Sequence, residues 1–285
     1  MENLTKALAE QSFSFVPSAD LLNMLLPYHH NTDITNLEAS FQEFHNAWNT
    51  SKPQRSLDNG VELYPYKGTL VSYYDLDVTF RRSNSHDYHG ETEAETNWVV
   101  EHVDATTSTT GAAAADLGRR HKSWPTFVDQ NPELLALHQL LIAILASLDL
   151  SDDADGNSRQ DWEAMQTAFR VQKSREFHGE PGPEGVHQDD CFLTVVILFD
   201  RVNVKQGTGG SRIWSLNQEC GKPTNDDIIS TKLLGAKVLE HRFDAVFLLD
   251  RMVKHEALPI EMADLDGVTA VRDVLTFEVR KKFVE

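Results

Sequence analysis

The chain has 285 residues, of which 40% are hydrophobic and 25% are charged, as in an ordinary soluble globular protein. Its net charge of −18 and pI near 5.0 argue against a nucleic-acid-binding surface or attraction to anionic membranes. No apolar run reaches transmembrane length, and the N-terminus lacks the pattern of a secretory signal. We therefore expect a cytoplasmic protein with no nucleic-acid or membrane partner, in which Cys191 and Cys220 are free thiols.

The N-terminal half is predicted to be helical first and then mixed. Residues 1–50 are predicted to be mainly helical, and strands are predicted at 60–65 and 69–80. The polar region 81–116 fits either a surface insertion or a lid over a site. A further helix is predicted to begin at Asn131-Pro132-Glu133, which combines a capping side chain, a first-turn proline and an acid, and to end near Leu148.

The C-terminal half is predicted to be mainly strands, after an acidic connection at 151–159. The predicted strands are 168–173, 191–199, 211–214, 245–249 and 268–283. Helices followed by many strands predict a mainly β fold with flanking helices, in which a barrel or sandwich is supported by an N-terminal helical layer. We expect a single domain over 1–285, with 1–167 as the support region and 168–285 as the core.

A candidate metal site lies where a turn meets an apolar strand. His187 and Asp189 are two residues apart, so on a strand both side chains project from one face. A second imidazole, from His255, would complete two nitrogens and one carboxylate, which is the ligand set of non-haem Fe(II) oxygenases. The alternative is a pair of polar residues at a strand end, hydrogen-bonded to the neighbouring turn.

Arg272 is a candidate anion-binding residue. Its strand face also carries Ala270, Val274 and Thr276, so the guanidinium is expected to lean toward the interior among small side chains. A buried guanidinium needs an anion, and a carboxylate matches its planar fork. The partner is either a protein carboxylate or a carboxylate of a dicarboxylic co-substrate.

Three stretches within 168–283 carry a family resemblance in the same order along the chain. They are Gly179-Glu-Pro-Gly-Pro-Glu-Gly-Val-His-Gln-Asp189, Asn203-Val-Lys-Gln-Gly-Thr-Gly-Gly-Ser211, and Asp250-x4-His255-x3-Pro259-Ile260 followed by Val271-Arg-Asp-Val-Leu-Thr-Phe277. Together they resemble the Fe(II)/2-oxoglutarate-dependent dioxygenases, in particular the free-amino-acid oxygenases that include the L-isoleucine hydroxylases and a fungal aziridine-forming valine oxygenase. One departure from that branch is Asp190, at a position where the branch usually has glycine.

The resemblance implies a double-stranded β-helix (jelly-roll) core and a set of residue roles. His187, Asp189 and His255 would bind Fe(II), and Arg272 would pair with the C5 carboxylate of 2-oxoglutarate. O2 would be the second co-substrate, ascorbate a helpful additive, and no catalytic residue is expected beyond the iron centre.

The implied reaction is oxidation of an aliphatic C–H bond of a small free amino acid, with hydroxylation as the first expectation. Oxidative cyclisation (aziridine formation) or desaturation of an amino acid such as valine is the alternative. From other classes, the chain would be a non-catalytic jelly-roll binding protein that retains the metal motif, or a cupin-like metal enzyme that does not use 2-oxoglutarate.

The substrate-binding residues are less defined by the sequence. Glu184 would either hold a substrate ammonium group or hydrogen-bond the backbone of its own turn. Arg82, Arg81 and Arg212 are candidates for binding a substrate carboxylate.

Overall fold

The structure is a computed structural model. It describes residues 1–30, 33–50, 55–56, 61–63, 68–74, 100–101, 132–148, 160–175, 177–182, 184–189, 191–228, 231–265 and 269–281. The helices are α1 (Glu2–Gln11), α2 (Ser18–Leu25), α3 (Ile34–Thr50) and α4 (Pro132–Ser147), with a 3-10 turn at Leu26–Tyr28 and a short helical turn at Asn225–Ile228.

The strands of the described residues form two antiparallel sheets. They are β1 (Phe13–Val16), β2 (Arg55–Ser56), β3 (Val61–Leu63), β4 (Gly68–Tyr74), β5 (Val100–Glu101), β6 (Gln160–Lys173), β7 (Leu193–Val202), β8 (Ser211–Trp214), β9 (Leu233–Lys237), β10 (Ala245–Leu248), β11 (Lys254–Ala257) and β12 (Ala270–Lys281). The larger sheet runs β1-β10-β7-β12-β6-β3-β2, with β4 and β5 attached beside β6. The smaller sheet runs β11-β8-β9.

The two central strands of the larger sheet sort their side chains by the period of two. On β12, Leu275, Phe277 and Val279 are buried in the main hydrophobic cluster, together with apolar residues of all four helices. The opposite face of the same strand carries Arg272 and Thr276 into a cavity between the sheets. The helices therefore cover one face of the larger sheet and leave the other face to the cavity.

The predicted architecture, mainly β with a jelly-roll core and a helical layer, is confirmed. The helix predicted from Asn131 begins at Pro132 and ends at Ser147. The strand predicted at 168–173 begins earlier, at Gln160, so the expected division between residues 167 and 168 falls inside one strand. The rest of region 81–116, apart from β5, and the connection 151–159 lie outside the described residues.

Five strands were not predicted, namely β1, β2, β5, β9 and β11. Three of them, β1, β9 and β11, are held by their neighbours rather than by their own sequence pattern. The strand β11 has the sequence Lys-His-Glu-Ala, which has little strand propensity, and it is fixed by antiparallel pairing with β8. The strand β1 is only four residues long and pairs with β10. The strand β9 pairs with β8 and carries Gly235, at which an added Cβ would lie 2.8 Å from the Phe13 ring of β1.

Two smaller expectations concern membranes and cysteines. Among the helices that the structure describes, none combines the length and the apolar character needed to span a bilayer. Cys191 and Cys220 are both free thiols, as predicted; the first is buried and the second exposed.

Candidate metal and co-substrate site

The backbone joins the two candidate histidine ligands directly. His187 and His255 form an isolated antiparallel bridge: the His187 N–H donates to the His255 carbonyl at 3.0 Å, and the His255 N–H donates back at 2.9 Å. Through this bridge, His187 pairs with the edge strand β11 of the smaller sheet. The bridge places the two imidazole rings side by side, with centroids 4.3 Å apart.

Asp189 completes a compact cluster with these two rings. Its Oδ1 lies 3.4 Å from Nε2 of His187, and its Oδ2 lies 3.3 Å from Nε2 of His255. One potential ligand atom of each residue lies within 4.8 Å of the others. Two imidazole nitrogens and a carboxylate oxygen that converge on one point are a suitable donor set for Fe(II).

The turn before the motif selects the correct tautomer of His187. Its Nδ1–H donates to the Gly185 carbonyl at 2.8 Å, which leaves the lone pair of Nε2 for a metal. Gly185 has φ of +74°, and an added Cβ would lie 2.5 Å from the Gly221 carbonyl oxygen. Both the conformation and the space therefore require glycine at this position.

We expect Gly185→Ala to weaken metal binding by at least tenfold, because the turn must shift and take the Gly185 carbonyl away from His187. Gly207→Ala is the matched control: Gly207 has φ of +79°, but an added Cβ meets nothing within 4 Å. The control should lower stability by about 1 kcal/mol through the positive φ alone and leave metal affinity unchanged. Anaerobic Fe(II) titration checks both variants, and equal affinities would contradict the expectation.

The ligand cluster opens into a cavity between the sheets. Its lining is mostly apolar: Phe169, Val171, Val196, Ile213, Val246, Leu248, Ala257 and Val274. Polar side chains also line the cavity: the three candidate ligands, the hydroxyls of Thr194, Ser211 and Thr276, the carboxylates of Glu184, Glu256 and Glu278, and the guanidinium of Arg272. A cavity with apolar walls and convergent polar groups is typical of small-molecule sites.

Arg272 is buried without a partner for much of its guanidinium. The residue is 2% exposed, and no described residue hydrogen-bonds its Nε or Nη2. Burial, and then the charge of Arg201, lower the pKa of Arg272 to about 10. An added Cβ at Gly209 would lie 3.5 Å from Cδ of Arg272, so the Gly-rich turn packs against the side-chain stem.

Electrostatics couple the three candidate ligands. Burial lowers the pKa of His187, but the hydrogen bond and the charge of Asp189 outweigh burial and raise the pKa to about 9. For Asp189, burial raises the pKa, while the charge of His255 and the hydrogen bond with His187 lower it to about 2. Without metal at pH 7, the His187 ring is therefore protonated on both nitrogens and positively charged, whereas the Asp189 carboxyl is ionised.

We expect metal binding to release this proton, so the apparent Fe(II) affinity should rise between pH 6.5 and 9, by up to tenfold per pH unit. The stability of the metal-free protein should instead fall as the pH rises. The pKa of His187 is higher in the folded protein than in the unfolded chain, so its stabilising effect is fully present below pH 6.5 and is lost as the pH rises through 9. Anaerobic calorimetry in buffers of different ionisation enthalpy measures the proton release. A flat affinity over this range would contradict the expectation.

The other predicted substrate residues are placed differently. Glu184 lines the cavity, and its Oε1 lies 3.7 Å from Nε2 of His187. Arg212 lies on β8, with its Nη1 3.4 Å from the carboxylate of Glu256, and it is not among the lining residues. Arg81, Arg82 and Asp190 lie outside the described residues.

Two contacting residues were missed by sequence reasoning. The Thr194 hydroxyl donates to Oδ2 of Asp189 at 3.2 Å and lies 2.9 Å from the Cys191 sulfur. The Asp250 carboxylate is fully buried beside His255 and Asp189. Asp250 belonged to a recognised motif but had no assigned role. The only sequence signal for Thr194 was its place in the period of two, on the cavity side of β7.

A jelly roll with a His-Asp-His cluster at the mouth of an apolar cavity defines a class, the non-haem iron oxygenases. The model of the 2OG-Fe dioxygenase family matches residues 78–278. The chain belongs to this family and is an oxidoreductase that uses Fe(II), 2-oxoglutarate and O2. No curated protein matches the sequence.

Solved structures of similar fold align with nearly the full length of the chain. The Fe(II)/(alpha)ketoglutarate-dependent dioxygenase TqaL, in its selenomethionine form, has a TM-score of 0.65 and 16% identity, over 100% of this chain and 87% of that chain. IDO from Bacillus thuringiensis has a TM-score of 0.62 and 12% identity, over 99% and 96%. A bsmA homolog from Methylobium petroleophilum PM1 has a TM-score of 0.61 and 20% identity, over 98% and 92%. At these identities the similarity is one of fold.

Proposed function

We propose that the protein oxidises an aliphatic C–H bond of a small free amino acid, with hydroxylation as the main outcome. The observation that carries the proposal is the set of groups that line one cavity. The metal-ligand cluster and the partnerless guanidinium atoms of Arg272 line the same, mostly apolar space. A small dicarboxylate that binds a metal at one end and a guanidinium at the other suits such a cavity.

Each residue then has a defined task. His187, Asp189 and His255 hold Fe(II), and Arg272 pairs with the distal carboxylate of 2-oxoglutarate through charge-assisted hydrogen bonds. Bound Fe(II), with 2-oxoglutarate and O2, supplies the oxidation of a C–H bond while 2-oxoglutarate is converted to succinate and CO2. The apolar lining holds the aliphatic part of the substrate beside the metal ligands and excludes water.

The choice of an amino acid is supported by Glu184. Its carboxylate lines the cavity beside His187, and no described residue hydrogen-bonds it, although a bond to its own turn was the alternative expectation. A carboxylate at this place is available for a substrate ammonium group. The apolar lining next to it suits a short aliphatic side chain.

An amino-acid panel with Fe(II), ascorbate and 2-oxoglutarate, followed by succinate and product mass, tests the proposal. A gain of one oxygen means hydroxylation, whereas a loss of two hydrogens means cyclisation or desaturation. Succinate formation that no free amino acid stimulates would contradict the amino-acid substrate. No succinate under any condition, despite Fe(II) binding, would favour a non-catalytic binding protein.

A variant pair tests the role of Glu184. Glu184→Gln should raise KM for the amino acid by at least tenfold, because the ammonium contact loses its charge, and leave KM for 2-oxoglutarate nearly unchanged. Glu180→Gln is the control, since Glu180 lies in the same loop but pairs with Lys222 at 2.6 Å. Equal KM values for the amino acid in both variants would contradict this role.

A further inference from the structure

Asp250 links the segment that carries His187 and Asp189 to the third candidate ligand, His255. The residue follows β10 and is 0% exposed. Its Oδ2 accepts the backbone N–H of Asp189 at 2.7 Å, and its Oδ1 lies 3.2 Å from Nδ1 of His255. Its backbone carbonyl accepts a hydrogen bond from the Gln188 side chain at 2.6 Å. One buried residue therefore contacts both halves of the ligand cluster.

The contact with His255 is the important one for metal binding. Nδ1 of His255 and Oδ1 of Asp250 are both buried with no hydrogen bond to any described residue, but they lie 3.2 Å apart. At this distance a small rotation of either side chain pairs the two buried atoms. A carboxylate oxygen can only accept, and therefore it selects the Nδ1–H tautomer. That tautomer leaves Nε2 of His255, the atom beside Asp189, with the lone pair that a metal needs.

We propose that Asp250 is the positioning residue of the iron site: it sets the tautomer of His255 and fixes the backbone of Asp189 at the same time. His187 has an independent device, the Gly185 carbonyl, so the two histidines are oriented by different parts of the chain. The inference rests on the metal site of the family and does not depend on the amino acid that is oxidised.

Asp250→Asn tests the proposal, because asparagine has one side-chain oxygen where aspartate has two. It can accept from Asp189 or from His255, but not from both. We expect Fe(II) affinity to fall roughly 10–100-fold, measured by anaerobic titration and by the absorbance of the Fe(II)–2-oxoglutarate complex. KM for 2-oxoglutarate at saturating Fe(II) should change little.

Asp244→Asn is the matched control. Asp244 lies just before β10, is 5% exposed, and accepts backbone N–H groups from Ser18, Glu240 and His241. It is not among the residues of the cavity. We expect this variant to lose stability without losing Fe(II) affinity, so it separates a general effect of a buried Asp→Asn change from an effect on the metal.

A second measurement needs no variant. Nitrogen-15 NMR of the histidine rings in the metal-free wild type should show His255 protonated on Nδ1 once the ring is neutral. An Nε2–H tautomer, or an Asp250→Asn protein that binds Fe(II) as tightly as the wild type, would overturn the proposal. Absence of Fe(II) binding by the wild type would instead overturn the proposed function along with it.

Discussion

Arg272→Met is expected to raise KM for 2-oxoglutarate by about 30-fold or more while making the protein more stable in the absence of co-substrate. The first effect follows because truncating one partner of a buried charge pair costs about 2–5 kcal/mol. The second follows because the guanidinium is buried with Nε and Nη2 unsatisfied, and an apolar side chain of similar length removes that cost. Weaker binding of 2-oxoglutarate together with higher stability distinguishes a ligand-binding arginine from a structural one.

Thermal unfolding with and without 2-oxoglutarate, together with steady-state kinetics, checks this prediction. Arg201→Met is the control, since Arg201 faces Arg272 across the strand pair β7 and β12 but donates to the carbonyls of Leu239, Lys205 and Thr208. The control should lower stability and change KM for 2-oxoglutarate much less. An Arg272→Met protein that is less stable and has a normal KM would show that the arginine is structural.

Asp273→Asn is expected to lower the free energy of unfolding by about 3 kcal/mol, within the range for breaking a buried ion pair. Asp273 is 1% exposed. It accepts two hydrogen bonds from Arg170, at 2.8 and 2.7 Å, and lies 2.8 Å from Nε2 of His45 on α3. The substitution removes the negative charge that both partners contact and loosens the attachment of the helical layer to β12.

The fall in Tm should be on the order of 10 °C, measured by calorimetry on the metal-free protein. Asp200→Asn is the matched control, because Asp200 lies opposite Asp273 on β7 but forms a half-exposed pair with Arg242 at 3.5 Å, which should contribute less than about 1 kcal/mol. Similar losses in both variants would contradict the prediction. Burial raises the pKa of Asp273, but the hydrogen bonds and charges of Arg170 and His45 outweigh burial and lower this pKa below its usual value. The stabilisation by the Asp273 carboxylate should therefore persist above pH 4 and disappear in acid.

The parts of the fold that were predictable are those whose own residues determine the element. The helix α4 has its start signal and apolar run in the local sequence, and β8 was predicted with the bounds Ser211–Trp214 that the structure gives. The strand β11 was not predictable, because Lys254-His255-Glu256-Ala257 becomes a strand only by pairing with β8. Its formation depends on contacts between distant parts of the chain.

The candidate site shows the same division. Spacing suggested that His187 and Asp189 share a face, with His255 as a possible third ligand, and the strand-face pattern made Arg272 a candidate anion-binding residue. The family resemblance gave these residues their roles, and the structure brings all four to one cavity. The partner of Arg212 could not be predicted, since Glu256 becomes its neighbour only through the register of β8 and β11. The same holds for Asp250, whose role depends on three contacts across the turn after β10.

The paired backbones of His187 and His255 also bear on how the enzyme would tolerate shortage of its metal. Two amide hydrogen bonds, at 3.0 and 2.9 Å, hold these residues together, so the ion does not have to draw distant chain segments together when it binds. A site organised in advance loses little conformational entropy on loading. The protein should therefore stay folded after chelation and rebind iron quickly. The amide hydrogens of His187 and His255 should still exchange slowly after the metal has left.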